Sequence, residues 1–463
     1  MRPFELLLIL TTIPFLIWGL TTKPRPRWLN WLPIVAFSFT ILHLVTEGYR
    51  WQMLPAYLLV LISLVLAVHG LRHPEAPTRR GLAFVAALFG LLCAAVALFL
   101  PIAIPVAKLP PMTGPHPVGT TSLYLVDENR PEIYTADPDD KRELMAQFWY
   151  PTTADAKGED ALYLDSLNVA GPVLAERFNL PSFLFDHINL TDLDMIQNAP
   201  VLDESLPVII FSHGLTGIRM QNTTAARELA SHGFLVTALD HTYGNALTVF
   251  PDGRVILYDE KRVFNGNDAN PADGNQLVNV WADDIAFLLA EMANFNAEDG
   301  GWLNGRVDLS KVGVFGHSTG GGTTVQFCMQ DERCQAGIGL DSWVLPVDDS
   351  VLTNGPTQPF MFINTPVWLG PENAALGENI FDNLPQDGYL LALAGSEHYD
   401  FSDLALFSPF TPQLGLSGSI NSHDSLKIQN AYIVAFFDQY LRENASALLD
   451  AASPYSEVTI EKK

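Results

Sequence analysis

The chain has 463 residues, more than a typical single domain contains, so we expect two structural units. Acidic residues outnumber basic residues 51 to 26, and this balance argues against nucleic acid as a partner, because nucleic-acid binding requires a basic surface. The charge is unevenly distributed. Residues 1–107 carry eight basic and three acidic residues, whereas the rest of the chain carries 18 basic and 48 acidic residues, a formal net charge of −30. This charge opposes adsorption to anionic lipid, so membrane contact is expected to be apolar.

Four apolar runs occupy the first 107 residues. A run of 18 or more predominantly apolar residues is a candidate membrane-spanning helix, and the third and fourth runs contain no charged residue. The first two are shorter and contain charged, proline or histidine residues, so we predict three or four spans. A cleaved signal peptide is disfavoured, because further apolar runs follow the first and no small-residue cleavage site follows it. The runs are Phe4–Leu20, Trp28–Val45, Met53–Gly70 and Leu82–Ala107.

Basic residues in the loops between these runs predict an orientation. Three lie between the first and second runs and three between the third and fourth, whereas the opposite side has Arg2, Arg50 and Lys108. Because positively charged loops remain cytoplasmic, four spans would place the amino terminus and residues 108–463 outside the cytoplasm. We therefore expect a multi-pass membrane protein with an extracytoplasmic catalytic domain. The six loop residues are Lys23, Arg25, Arg27, Arg72, Arg79 and Arg80.

After a proline-rich link at residues 108–117, the pattern becomes that of a soluble domain. Short apolar runs alternate with longer runs of helical spacing, which predicts a mainly parallel sheet with helices on both faces. Two segments rich in Asp, Asn, Gly and Pro, residues 152–205 and 242–276, are expected to be excursions over the sheet, as lids and binding loops often are. We predict an all-α transmembrane region at residues 1–107 and an α/β catalytic domain at residues 108–463.

A G-x-S-x-G motif, GHSTG, occupies residues 316–320. It follows a strand-like run that ends at Phe315 and opens a helical stretch that begins at Gly322. The serine of such a motif lies on a strained strand-to-helix turn, where the glycines let the backbone bend and pack closely. This context favours Ser318 as a catalytic nucleophile over a glycine-rich turn without function.

A serine nucleophile requires a histidine to accept its proton and an acid to orient that histidine. In the α/β-hydrolase fold the chain order is serine, acid, histidine. Of the two histidines downstream, His398 follows the apolar run YLLALAG, whereas His423 lies in a polar stretch typical of a surface. Asp341 ends the run AGIGLD, whereas Asp348 and Asp349 lie in a polar loop typical of a solvated turn. The predicted triad is Ser318, Asp341 and His398.

The oxyanion of the tetrahedral intermediate requires two backbone N–H groups. One should come from Thr319, the residue after the nucleophile. The other should come from the loop after an early strand, where VIIFS is followed by His213, Gly214 and Leu215, and we predict Leu215 as the donor. His213 invites a catalytic interpretation, but it precedes the nucleophile in chain order, so we expect it to support the turn.

The three cysteines predict no metal site, because no cluster of cysteine and histidine has the spacing of zinc ligands. Cys93 lies in the fourth apolar run and is expected to pack there. Cys328 and Cys334 bracket a polar stretch, and either a disulfide in an oxidising compartment or two free thiols agrees with this spacing. No cofactor is expected.

Five blocks occur along the chain in this order: FWYPT, FSHGLTGIRMQNTTAARELASHGFLVTALDH, VGVFGHSTGGGT, AGIGLDSWVLPV and GSEHYDFSDLALFSP. They resemble the platelet-activating-factor acetylhydrolase family, plasma and intracellular type II. The resemblance covers roughly residues 120–445. It implies an α/β-hydrolase fold and metal-independent hydrolysis of short or oxidised sn-2 acyl chains of phospholipids. By position it implies Ser318 as nucleophile, Asp341 as acid and His398 as base, with Leu215 and Thr319 in the oxyanion hole.

Two features depart from that family. The position after the nucleophile resembles one usually held by Phe, whereas this chain has Thr319, which is smaller and more polar. The plasma enzyme also lacks a multi-span anchor. The expected function is a membrane-anchored serine esterase that acts through an acyl-serine intermediate on phospholipids or other small esters. The alternatives are a broad carboxylesterase, polyesterase or peptidase, since fold and triad do not determine the acyl substrate, and a non-catalytic membrane-bound binding module.

Overall fold

The chain forms two compact units in a computed structural model. Two of the predicted cytoplasmic loop residues, Lys23 and Arg79, lie outside the described residues, as do residues 265–270 of the second polar segment. The structure describes residues 1–21, 25–74, 80–177, 179–264, 271–450 and 452–463. Unit 1 consists of Met1–Lys108 and two inserted segments, Gly171–Thr191 and Phe407–Phe410; unit 2 consists of Leu109–Ala170, Asp192–Leu406 and Thr411–Lys463.

Unit 1 is built on four apolar helices. Within the described residues, three helical stretches are long and apolar enough to cross a membrane: Arg27–Thr46, Trp51–Arg72 and Arg80–Ala103. The first helix, at 17 residues, is shorter. The N-terminal region therefore has the predicted all-α structure. The helices are α1 (Pro3–Gly19), α2 (Leu32–Thr46), α3 (Leu54–Arg72) and α4 (Arg80–Ala103).

The polar residues that interrupt the first two apolar runs form a buried ion-pair cluster. The carboxylate of Glu5 accepts hydrogen bonds from Arg50 Nε at 2.7 Å and Arg50 Nη2 at 2.6 Å, and from Arg2 Nε at 2.8 Å. His43 Nδ1 lies 2.8 Å from Glu47 Oε2. Because a buried carboxylate is stable only when it is paired, these contacts explain how charged residues are accommodated among apolar helices.

The two inserted segments contribute aromatic residues to unit 1. The ring of Phe183, in the first segment, packs edge-on against Trp51 with centroids 5.1 Å apart. The ring of Phe410, in the second, lies 5.7 Å from that of Phe99 on α4. Two stretches beyond residue 108 thus belong to the same compact unit as the apolar helices.

Unit 2 contains the β-structure and most of the remaining helices. Helix α5 (Leu167–Arg177) begins in this unit and continues into the first inserted segment. The strands are β1 (Val118–Pro131), β2 (Lys141–Pro151), β3 (Met195–Gln197), β4 (Leu206–Ser212), β5 (Leu235–Asp240), β6 (Leu247–Val249), β7 (Val255–Leu257), β8 (Val307–His317), β9 (Cys334–Leu340), β10 (Phe360–Asn364), β11 (Gly388–Leu393) and β12 (Val458–Lys462). The helices are α6 (Thr223–Ser231), α7 (Glu260–Val263), α8 (Pro271–Ala297), α9 (Thr319–Gln330), α10 (Asp349–Asn354), α11 (Pro371–Asn383), α12 (Ser422–Arg442) and α13 (Ala447–Asp450).

One large sheet runs through unit 2. Among the described residues it has ten strands in the order β12-β11-β10-β9-β8-β4-β5-β2-β1-β3, while β6 and β7 form a separate hairpin. Strands β5, β4, β8, β9, β10 and β11 are parallel, and β2 and β12 pair antiparallel with their inner neighbours. Parallel strands are covered on both faces, which agrees with the continuous apolar runs of the sequence. The predicted mainly parallel sheet is confirmed.

Strand β8 shows how helices cover both faces of this sheet. Val312 and Val314 belong to the same buried cluster as apolar residues of α8 and α9. The intervening Gly313 and Phe315 face α12: the ring of Phe315 lies 6.2 Å from that of Phe437, and a Cβ added at Gly313 would lie 2.5 Å from the Phe437 ring. Because successive strand residues point to opposite faces, β8 packs between two helical layers.

A buried ion-pair hub connects β2 to α8. Arg142 donates from Nε and Nη2 to Asp284 at 3.0 and 2.7 Å and from Nη1 to Glu132 at 2.9 Å. Burial would raise the pKa of Asp284, but the guanidinium groups of Arg142 and Arg130 outweigh it and hold that pKa well below its ordinary value. Asp284 is therefore a buried carboxylate that stays ionised because of its partners.

We predict that Arg142→Ala lowers the free energy of unfolding by about 3–5 kcal/mol, because it removes the ion pair of buried Glu132 and leaves buried Asp284 with Arg130 as its arginine partner. The matched control is Arg254→Ala. Arg254 pairs with Glu143 and Asp252, but its side chain is 47% exposed, and the loss of such a pair should cost about 1 kcal/mol or less. Urea denaturation of the detergent-purified protein, followed by circular dichroism, measures both. Equal losses for the two variants would contradict the prediction.

Candidate active site

The predicted nucleophile lies at the turn between β8 and α9. Ser318 has φ +56° and ψ −120°, a conformation that non-glycine residues rarely adopt. Its N–H donates to the carbonyl oxygen of Leu340 at 2.9 Å, and its own carbonyl accepts the N–H of Trp343 at 2.9 Å. Hydrogen bonds on both sides therefore hold a strained backbone, as is common at functional sites.

The outer glycines of the motif are required by close backbone contacts. A Cβ added at Gly316 would lie 2.1 Å from the carbonyl oxygen of Gly320, and a Cβ added at Gly320 would lie 2.1 Å from that of Ser212. No side chain fits at either distance. The two glycines thus let α9 begin directly against the ends of β8 and β4.

The predicted acid and base form a hydrogen-bonded pair. Asp341 follows the last residue of β9, and His398 lies in the loop after β11. Asp341 Oδ2 lies 2.6 Å from His398 Nδ1, and Asp341 Oδ1 accepts hydrogen bonds from the N–H and Oγ1 of Thr365, both at 2.9 Å. Asp341 is buried, whereas 25% of the His398 side chain is exposed. The pairing leaves Nε2 of His398 as its second ring nitrogen, available to accept a proton.

The loop after β4 passes against the nucleophile. A Cβ added at Gly214 would lie 3.2 Å from Ser318 Cβ and 3.2 Å from His317 Nδ1. The next residue is Leu215, and within the described part of the chain neither its N–H nor that of Thr319 donates a hydrogen bond. Thr319 is also the first residue of α9, where the helix dipole favours negative charge. Two unpaired backbone donors beside a serine are what an oxyanion hole requires.

Comparison with known proteins identifies the family. The family model for platelet-activating factor acetylhydrolase, isoform II, matches residues 102–253 and 293–450, more than half of the chain. The chain belongs to this family. The resemblance noted in the sequence is confirmed, and as a family member the chain is a serine ester hydrolase of the α/β-hydrolase superfamily.

Individual relatives support the assignment to this family. The platelet-activating factor acetylhydrolase of Canis lupus familiaris is 27% identical over 367 residues, covering 72% of this chain and 78% of the relative. That of Cavia porcellus is 29% identical over 361 residues with the same coverage. Among solved structures, a ferulic acid esterase from Streptomyces cinnamoneus matches with a TM-score of 0.63 and 26% identity, covering 77% of this chain and 99% of that one. The α/β-hydrolase fold is thereby confirmed.

A residue of the family motif that the sequence did not single out holds the loop of His398. The ring of His317 lies 4.5 Å from that of His398, and His317 Nε2 lies 3.0 Å from the His398 carbonyl oxygen. Burial, and next the neighbouring His398, hold the pKa of His317 well below its ordinary value, so this ring stays neutral. Its Nε2–H then donates to the carbonyl, and its Nδ1 accepts a hydrogen bond.

Gln221 completes this connection and was not predicted from the sequence. Its Nε2 donates to His317 Nδ1 at 2.9 Å, while its Oε1 accepts the N–H of Gly214 at 3.2 Å. One amide therefore links the loop that carries Leu215 to the loop that carries His398. No hydrogen bond joins Ser318 Oγ to His398 in the described part of the chain, and such bonds often tighten only when substrate binds.

The other acids and the other histidine considered from the sequence have different surroundings. Asp348 accepts hydrogen bonds from Asn275 at 2.7 Å and Gln326 at 2.8 Å, and Asp349 is exposed at the start of α10. His423 lies in the first turn of α12. These positions agree with Asp341 and His398 as the paired acid and base.

Three further sequence features have a structural outcome. Cys328 on α9 and Cys334 at the start of β9 form a disulfide with an S–S distance of 2.02 Å, so the structure contains the first of the two possibilities left open. Cys93 is half-buried on α4 as a free cysteine. His213, expected to support its turn, is buried and contacts the Gly214 carbonyl at 2.7 Å.

Proposed function

We propose that Ser318, Asp341 and His398 hydrolyse the sn-2 ester of phospholipids that carry short or oxidised acyl chains. The observation that carries this proposal is the Asp341–His398 pair, 2.6 Å apart, in one site with a strained serine and two unpaired N–H groups. The names of the relatives from dog and guinea pig support an acetyl-bearing phospholipid as the substrate.

In the proposed reaction, His398 Nε2 accepts the proton of Ser318 Oγ while that oxygen attacks the ester carbonyl carbon. The N–H groups of Leu215 and Thr319 bind the negative oxygen of the tetrahedral intermediate, and Asp341 stabilises the imidazolium. The bond between the former carbonyl carbon and the alcohol oxygen breaks, and His398 gives the proton to that oxygen of the leaving lysophospholipid. A water molecule, deprotonated by His398, then attacks the acyl-serine and releases the fatty acid and Ser318.

Exposed apolar side chains support a lipid substrate. They lie on the loops that follow β10 and β11, the same sheet edge from which Thr365 and His398 come. At this edge they would contact acyl chains or a lipid surface, where burial of apolar area is favourable. They are Val367, Leu369, Tyr399 and Leu404.

A broader acyl specificity is the second candidate. The matching ferulic acid esterase supports it, and so does a cluster that packs around Leu215 and is rich in aromatic residues. Thr319, in the place where the family usually has Phe, is also a smaller side chain beside Ser318. The aromatic residues of the cluster are Tyr134, Tyr243, Tyr258, Phe264, Trp281 and Trp343.

We predict that Ser318→Ala and His398→Ala each lower kcat by about 10⁴-fold or more and that the double variant is scarcely worse, because the residues act as a unit. Asp341→Asn should cost about 10⁴-fold, because the amide favours the wrong histidine tautomer. The matched control, Asp348→Asn, should retain near-full activity. Steady-state kinetics and labelling by a fluorophosphonate probe measure these effects. Full activity of Asp341→Asn together with an inactive Asp348→Asn would reject the acid assignment, and an unlabelled wild-type protein would favour the binding module.

We predict that kcat/KM is highest for acetyl and truncated, oxidised sn-2 chains and falls steeply for long unmodified chains. The measurement is an acyl-chain profile with phospholipids presented in mixed micelles, beside soluble p-nitrophenyl and feruloyl esters. Thr319→Phe is the informative variant: filling the space beside Ser318 should reduce hydrolysis of bulky acyl groups more than that of acetyl. A wild-type profile that peaks on feruloyl or long-chain esters would favour the broad esterase instead.

We further propose that residues 1–107 anchor the enzyme in the membrane, with the catalytic residues outside the cytoplasm. Three apolar stretches and four described basic residues in the predicted inner loops support this topology. The shorter α1 would have to serve as a fourth span. The basic residues are Arg25, Arg27, Arg72 and Arg80.

A reporter that functions only in the cytoplasm should therefore be silent when it is fused after Lys463 and active when it is fused after Arg72, a fusion that omits α4. The second fusion is the positive control, because it places the reporter on the loop rich in positive charge. A strong signal from the Lys463 fusion would reject the orientation. A silent Lys463 fusion agrees both with four spans and with three spans that start from a cytoplasmic amino terminus, and a reporter at the amino terminus distinguishes these two topologies.

A further inference from the structure

The hydrogen bonds of His213 determine which of its ring nitrogens carries the proton. This residue directly follows β4 and is fully buried. Its Nε2 receives the backbone N–H of His241 at 3.2 Å, and its Nδ1 lies 2.7 Å from the carbonyl oxygen of Gly214. Because a backbone N–H only donates, Nε2 must be the acceptor, so the neutral ring carries its proton on Nδ1 and donates it to Gly214. Burial, and next the nearby His241, also hold the pKa of His213 well below its ordinary value.

The Gly214 carbonyl belongs to the same peptide unit as the N–H of Leu215. A peptide unit is planar, so a bond that fixes its carbonyl also fixes the direction of its N–H. A hydrogen bond to the carbonyl also polarises the N–H and strengthens it as a donor. Since a glycine on one side makes this peptide easy to rotate, the orientation has to be imposed from outside. The N–H of Gly217 adds a second bond to the same carbonyl at 2.8 Å.

His241, which holds His213, is itself held by a buried relay. Its Nδ1 lies 2.9 Å from Asp284 Oδ2, and its Nε2 lies 3.0 Å from Ser212 Oγ. This order of serine, histidine and aspartate resembles a catalytic triad, but all three side chains are fully buried, so none of them reaches a substrate. The indole of Trp281 stacks on the His241 ring at 4.4 Å and covers it. The relay therefore supports its neighbours and takes no direct part in chemistry.

We propose that His213 is a positioning residue of the oxyanion hole: through Nδ1 it fixes the Gly214–Leu215 peptide so that the Leu215 N–H stays directed at the reacting carbonyl, and Ser212, His241 and Asp284 hold His213 in place. This inference rests on the proposed function, in which the Leu215 N–H binds the oxyanion. It assigns catalytic relevance to a histidine that contacts neither substrate nor nucleophile.

The test compares hydrolysis of a soluble short-chain ester with that of its thionoester by the full-length protein in detergent. Sulfur is a poor hydrogen-bond acceptor, so an intact oxyanion hole favours the oxygen ester. His213→Phe keeps an aromatic ring but removes the donor. It should lower kcat on the oxygen ester by about 10–100-fold with little change in KM, and lower the oxygen-to-sulfur rate ratio by a similar factor, as expected for a misplaced oxyanion donor.

Two variants separate positioning from packing. His213→Asn restores a donor near the position of Nδ1 and should recover part of the rate ratio. Trp149→Phe, on β2, trims an equally buried indole outside this relay, and its Nε1 has no hydrogen-bond partner among the described residues. This variant should leave the ratio unchanged. If His213→Phe does not fold, Ser212→Ala tests the same relay, because it removes only the hydroxyl beside His241, and the ratio should fall by a smaller factor.

A fall in both rates with an unchanged ratio would show that His213 is merely structural and would overturn the proposal. An equal fall in the ratio for Trp149→Phe would overturn it as well, since a loss of core packing would then explain the effect. Failure of the proposed function would give other results. Ser318→Ala would retain activity, or the wild-type protein would hydrolyse the oxygen ester and the thionoester at similar rates.

Discussion

Three stretches of backbone converge at Ser318 at distances that leave no space for side chains. Gly320 lies against the end of β4, Gly316 lies against Gly320, and Gly214 lies against Ser318 itself. The strained φ of the serine is stable only because this packing and the hydrogen bonds to Leu340 and Trp343 hold it. The position of the loop that carries Leu215, the start of α9 and the backbone conformation of Ser318 all depend on this packing.

Buried polar side chains then connect the catalytic loops to the sheet. Asp284 is the centre of one network, with Arg142 on one side and His241 on the other, and Gln221 and His317 form a second. Each donor and acceptor in these networks replaces a hydrogen bond to water, so a single substitution leaves a partner unsatisfied. The loops are thereby restricted to few arrangements, which suits a site that must present its dipoles in advance.

The fold class and the Asp341–His398 pair were predictable because each leaves a local pattern in the sequence. Continuous apolar runs specify parallel strands, and the motif around Ser318 together with the chain order specifies an acid and a histidine. Thr365 and Gln221 leave no such pattern: their roles arise from contacts between residues distant in sequence, Thr365 with Asp341 and Gln221 with His317 and Gly214. The two inserted segments leave no such pattern either, since their composition does not indicate which unit they join.

The disulfide between Cys328 and Cys334 closes a loop with a sequence separation of only 6 residues. In the chain-entropy description, a loop this short restricts the unfolded chain modestly, by about 2–3 kcal/mol at room temperature. The cross-link joins the helix that follows Ser318 to the strand that ends at Leu340, directly before Asp341, so it stabilises the segment that connects Ser318 to Asp341. A cell compartment that keeps thiols reduced would remove this contribution, and the stability of the enzyme would then depend on where the chain resides.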